Sequence, residues 1–141
     1  YLQNRYLNHP FYKYHFWGIF DSERLVSIWT LRIIEMNKSR AIRIVDILGN
    51  IEGLPCLSGE LQRMLVDIGA EYMDIFNYGI NEEIFFKFGF LKLDPVGDVI
   101  IPNYFEPFER KNIRIEFAYK ANFNYVIFKG DSDQDRPNII Q

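Results

Sequence analysis

The apolar period of this chain changes part-way along it, and that change restricts the available folds more than any other feature. Tyr14 to Phe20, Leu25 to Met36 and Ala41 to Leu48 are rich in aromatic and β-branched residues. In the middle stretch Val26, Ile28 and Ile34 share one parity and Leu25, Trp29, Leu31 and Ile33 the other, which predicts a strand covered on both faces. Asp21-Ser22-Glu23-Arg24 and Asn37-Lys38-Ser39-Arg40 are short polar turns, so the three strands should run as an antiparallel meander. Then Leu57, Leu61, Met64, Leu65 and Ile68 fall at offsets 0, 4, 7, 8 and 11, one face of an α-helix closed by Gly69.

Tyr72 to Asn77 reads as a further strand. A short helix follows, with Asn81 as its cap, Glu82 and Glu83 at the positive end of its dipole, and Gly89 at its close. Strand, helix, strand, helix requires at least one parallel pairing through a crossover. Phe90 to Leu93, Ile113 to Tyr119 and Asn124 to Lys129 are the expected remaining strands. The predicted class is α/β with a mixed, mostly antiparallel central sheet.

Composition narrows the function classes. At 141 residues, 48% apolar and 25% charged, the chain suits a single domain spanning 1–141 with a sizeable core. It opens on Tyr1 rather than Met, so it is expected to be the C-terminal part of a longer protein, whose remainder is an expected partner. A net charge of -3 argues against a nucleic-acid partner, which needs a basic stripe. No run approaches the roughly 18 apolar residues of a membrane span. The single cysteine, Cys56, excludes an internal disulfide and points to a reducing, cytoplasmic setting.

The element order, with Ile84-Phe85-Phe86-Lys87-Phe88-Gly89-Phe90, resembles the GNAT family of N-acetyltransferases, in which a late helix runs into a Gly-Phe pair. The ending Gly130-Asp131-Ser132-Asp133-Gln134-Asp135-Arg136-Pro137-Asn138 is similar to acetyltransferase-like proteins of bacterial cell-surface polysaccharide biosynthesis. The resemblance implies transfer of an acyl group from acetyl-CoA or another acyl-CoA to an amine, with an amino sugar as the suspected small-molecule substrate. Asp46 would be the base. The split between the strands ending at Leu48 and Asn77 would admit the pantetheine arm, with Gly49 beside it. Ser58 and Gly59 would meet the pyrophosphate, and Tyr78 would stand in as the acid.

Two departures give a competing expectation. The stretch Gly49 to Gly59 lacks the arginine and glycine spacing of the family's pyrophosphate loop, Glu52 would repel phosphate, and Pro55 removes a donor. The family's acid tyrosine aligns with Phe85, which holds no proton to give. The competing expectation is a non-catalytic binding or scaffold module on the same fold.

Asp46 shares simple strand parity with Ile42, Ile44 and Leu48. Desolvation there would raise its pKa towards the range of a general base; the structural alternative is a pairing with Arg43, Arg32 or a backbone amide. Asp74, between Tyr72 and Phe76, carries the same two readings. Tyr78 ends a strand, where ligands bind in open α/β sheets, and the alternative is a packed ring with a wet hydroxyl. Asp131, Asp133 and Asp135 alternate, which suits either a divalent cation in a glycosyltransferase fragment or a solvated end. A calcium loop fails because Arg136 stands where glycine is needed. Metal binding is not expected, and His9, His15 and Cys56 read as structural. Asn103 to Glu109 offers aromatics and acids, either for a sugar ring or as a covering loop.

Overall fold

The computed structural model describes residues 1–36, 38–101, 111, 112, 114 and 116–131. Strands β1 (His15–Asp21), β2 (Arg24–Met36) and β3 (Ser39–Gly49) form the antiparallel meander. The chain then crosses over through helix α1 (Ser58–Ile68) to β4 (Tyr72–Ile75), which pairs parallel with β3. The four-stranded sheet therefore has the order β1-β2-β3-β4 and is mixed but mostly antiparallel. β5 (Asn77–Tyr78) and β6 (Ile127–Phe128) make a short antiparallel ladder, with α2 (Glu82–Lys87) between them in sequence. A π-type turn (Gln3–Leu7) precedes the sheet and a 3-10 turn (Lys129–Asp131) follows β6.

The local signals for the helices hold. Gly69 takes a left-handed conformation at φ 68°, and Ala70 N donates back to Leu65 O at 2.9 Å, closing α1. The Asn81 side chain accepts from Glu83 N at 3.1 Å and caps α2. Four expected strands differ. Phe90 to Leu93 is not a strand, because Phe90 is used to finish α2. Its N–H donates to Phe85 O at 3.0 Å, Gly89 N donates to Phe86 O, and the Phe85 and Phe90 rings meet edge-on at 5.9 Å. The stretch Tyr72 to Asn77 breaks at Phe76, where the chain leaves β3. Of Asn124 to Lys129 only Ile127–Phe128 is extended and paired, and Arg114 and Glu116 to Tyr119 carry no strand; Ile113 and Ile115 lie outside the described residues.

Both helices pack on one face of the sheet. Trp29, Leu31, Ile42, Ile44 and Ile47 are buried there against Leu61 of α1 and Phe85 of α2. Each fully buried large side chain contributes about 1.5–3 kcal/mol over its exposed state. The opposite face is covered by the opening segment, where Tyr6 and Tyr14 pack on Val45 with Leu2, Tyr12 and Phe16 around them. β2 is thus covered on both sides, as its two apolar parities predict.

A bulge in β3 corrects the expected placement of Asp46. Thr30 pairs with Asp46 but Leu31 pairs with Ile44, so Val45 is the extra residue. Ile42 and Ile44 face the helices, and beyond the bulge the alternation restarts out of step. Asp46 falls in the cross-strand row Phe16, Thr30, Asp46 on the far face, while Ile47 rejoins Trp17 and Trp29 on the helix side. A strict period of two cannot anticipate that extra residue.

Candidate functional site

Asp46 is 3% exposed and its Oδ2 accepts hydrogen bonds from Tyr6 Oη at 2.7 Å and Tyr1 Oη at 2.9 Å. Burial, then the Asp46 carboxylate, pushes the Tyr6 phenol far above its ordinary value, and burial is also the main reason that Tyr1 is raised to about 12. Both phenols are therefore neutral donors at physiological pH, holding the carboxylate as an acceptor. Thr30, directly across from Asp46, is fully buried and its Oγ1 has no hydrogen-bond partner.

The anticipated partners of Asp46 go elsewhere. Arg43 grips Asp74 through Nε–Oδ1 at 2.8 Å and Nη2–Oδ2 at 2.6 Å, a buried two-pronged pair set by the parallel register of β3 on β4. Arg32 stacks over the Tyr12 ring at 3.4 Å.

The split beside β3 is real, and the chain's own residues lie in it. Pairing of β3 with β4 stops at Ile44 and Ile75. Beyond that point Phe128 pairs with Asn77, and Lys129 N donates to Phe76 O at 3.1 Å. Gly130 then sits so close to β3 that a Cβ would strike Tyr6 Oη and come within 2.7 Å of Val45 O. Residues 127–131 thus occupy the gap that the resemblance assigns to pantetheine. Leu48 is half-buried opposite Ile28, and Gly49 turns at φ 101° hard against the Val26 carbonyl, where a side chain has no room.

Open space lies on the helix side. A cavity of about 910 Å³ opens between α1, β4, β5, α2 and the chain after α2. Its apolar walls include Leu61, Leu65, Met73, Ile75, Phe85 and Phe88. It gathers Ser58, Asn77 and Tyr78 from the expected site, while Asp46, Leu48, Gly49 and Gly59 are not on its walls. Asp74, Glu82, Asp94 and Asp98 also line it; of these Asp74 is paired with Arg43, and Glu82 with Lys92 at 2.7 Å. The fixed charge at this cavity is on balance acidic.

At the start of α1 the structure supplies a basic neighbour for Cys56 that the local sequence lacks. The thiol donates to Lys87 O at 3.0 Å and lies 3.4 Å from Ser58 Oγ. Hydrogen bonding from Ser58, with the Lys87 charge adding, lowers this exposed thiol below its ordinary value. Lys87 arrives from α2, far along the chain, so only the fold brings it there.

Sequence reasoning also missed the cover over Asp46 and a ring cluster around Tyr78. Tyr78 is exposed and meets Phe117 at 5.1 Å and Tyr119 and Tyr125 at 6.1 Å each. The aromatic content, 17%, was the available signal, but no spacing connects residue 78 with residues 117–125.

His9 is structural: its Nδ1 accepts from Phe11 N and Tyr12 N. Asp131 Oδ2 accepts from Phe128 N at 2.9 Å, while Asp133, Asp135 and the stretch Asn103 to Glu109 lie outside the described residues. Among the described residues no group of three or more His, Cys, Asp or Glu is placed to hold a metal, and no helix is long and apolar enough to cross a membrane. The chain matches no protein-family model, no curated protein and no solved structure.

Proposed function

We propose that this chain is a non-catalytic, GNAT-like binding module that holds a small apolar amine in its helix-side cavity. The supporting observation is the separation of carboxylate from space: Asp46 is sealed under Tyr1 and Tyr6 on one face, and the cavity lies on the other. A base must reach the proton that it removes, and Asp46 does not face the cavity. The apolar walls suit a ring or short chain, and the acidic balance of Asp94 and Asp98 favours a cationic end over the polyphosphate of a nucleotide.

Tryptamine and indole-3-propionate are matched probes, close in size and opposite in charge. Tryptamine should raise the melting temperature saturably, by the equivalent of about 2.7 kcal/mol at a hundredfold excess over its dissociation constant. Indole-3-propionate should do less, and acetyl-CoA nothing. Equal shifts from both indoles, or none from either, overturn the reading.

A second reading, an acyl-CoA-dependent N-acyltransferase acting on an amino sugar or similar amine, draws on one specific observation. Ser58, Asn77 and Tyr78, all expected around the acyl-CoA, line the same cavity. A saturable shift with acetyl-CoA, together with acyl transfer to an amine, would install that reading in place of the first.

A further inference from the structure

Strand β1 ends the sheet at the edge opposite β4, and none of its residues lines the cavity. It pairs with β2 alone, so among the described residues no strand meets the backbone groups along its outer side. A bare edge is a template for another strand, and proteins guard it with a short strand, a lysine, a proline or a bulge. The opposite edge strand, β4, is only four residues long. β1 has seven residues, with no lysine, arginine or proline among them. The irregularity in its ladder belongs to β2. Ile19 pairs with Ser27 and Phe20 with Leu25, so Val26 is the extra residue and β1 itself runs regularly.

The strand that fits this edge is a second copy of β1. In a closed pair of identical chains, residue i meets j as j meets i. An antiparallel copy centred on Gly18 sets Phe16 opposite the partner's Phe20, Trp17 opposite the partner's Ile19, and His15 opposite the partner's Asp21. Apolar pairs then fill the middle, and at each end an imidazole N–H donor faces a carboxylate. Exposed Lys13 precedes the strand and exposed Glu23 follows it, so the basic start of one copy lies along the acidic end of the other. A parallel copy in register would set like against like. The centre offers apolar surface as well. Phe20 and Leu25 are 59% and 44% exposed, and both reach over Gly18, where a Cβ would come within 3.1 Å of each. The missing side chain at Gly18 lets a second backbone approach at the symmetry axis.

We infer that the chain forms a two-fold dimer in which β1 of each copy extends the sheet of the other, antiparallel and centred on Gly18. The two four-stranded sheets become one, whatever the cavity holds. The test is sedimentation equilibrium of the whole chain from about 1 μM to about 1 mM, because a seven-residue edge is a small interface and associates weakly. A reversible monomer–dimer equilibrium is expected. Phe20→Lys places a cation against the partner's Phe16 and should raise the dissociation constant about a hundredfold, with melting curves confirming that the monomer stays folded. His15→Glu sets carboxylate against carboxylate, and Asp21→Lys sets a cation beside the imidazole, so each variant should dimerise poorly alone. Mixed together, the two should pair with one another, because every altered end then meets an opposite charge. A chain that is monomeric throughout the series overturns the proposal. So does a dimer that Phe20→Lys leaves intact, or a mixture of the two charge variants that restores no association, since the copies then meet elsewhere or in another register.

Discussion

On the helix side of the sheet, Trp29, Ile42 and Ile44 pack against α1 and α2 yet leave a cavity of about 910 Å³, whereas on the far side a smaller cluster closes over a buried carboxylate. The polar groups of the two sides are used differently. On the far side Asp46 is held by Tyr1 and Tyr6, and Gly130 leaves no space between the closing turn and β3, while Asp74, at the cavity edge, is held by Arg43. On the helix side Asp94, Asp98 and Asn77 stand beside open volume. A buried acid is a candidate for chemistry only while something can reach it. Here Asp46, sealed away from open volume, supports the fold, and Asp94 and Asp98, beside open volume, define the site.

The sharpest way to break this contrast is through Arg43. Arg43→Met leaves Asp74 charged, buried and unpaired, and should cost about 3–5 kcal/mol in urea unfolding. The double variant Arg43→Met/Asp74→Leu should recover most of that loss; a single variant as stable as wild type would remove the pair from its structural role. Tyr6→Phe should cost about 1.5–3 kcal/mol, because Asp46 loses one of its two hydroxyl donors. Gly130→Ala should cost about 1–3 kcal/mol through overpacking against Tyr6 and the Val45 carbonyl. A neutral result there would mean that the gap beside β3 is not filled.

A pH series sharpens the same point more gently. Tyr6 titrates above the ordinary phenol value of 10.0 in the folded state, so the folded protein keeps a proton that the unfolded chain releases. That stabilisation is complete below pH 10.0 and drains away as pH rises through the folded value. The urea midpoint should therefore fall more steeply above pH 10.0 in the wild type than in Tyr6→Phe. The smallest effect concerns the start of α1. Alkylation of Cys56 should set in below the ordinary thiol value of 9.0, and Ser58→Ala should move its onset upward without changing stability.

Much of the fold was legible in the sequence because its signals are local. Helical spacing from Leu57, the caps at Asn81 and Gly69, and the polar turns between strands each act within a few residues. The meander and the single parallel crossover follow from them. What could not be read depends on register and distant closure. The bulge at Val45 turns Asp46 to the other face, and no alternation in Ala41 to Leu48 marks it. Arg43 was a visible partner for some carboxylate, but choosing Asp74 over Asp46 needs the β3–β4 register. The tyrosine cover comes from the opening segment, about forty residues before Asp46. Of the expected site, Ser58, Asn77 and Tyr78 come together because α1 and β5 flank one cavity, while Asp46 stands apart through one extra residue in a strand.

The most direct test of the division between the two faces is a two-dimensional amide NMR titration of the whole chain with tryptamine and, separately, with acetyl-CoA. The account predicts that tryptamine moves the amides of Ser58, Met73, Ile75 and Asn77 and leaves Thr30, Val45 and Asp46 in place. Shifts produced by acetyl-CoA at Val45, Asp46, Leu48 and Gly130 would contradict it, because they would mean that the gap beside β3 opens to a cofactor and that Asp46 is within reach of chemistry.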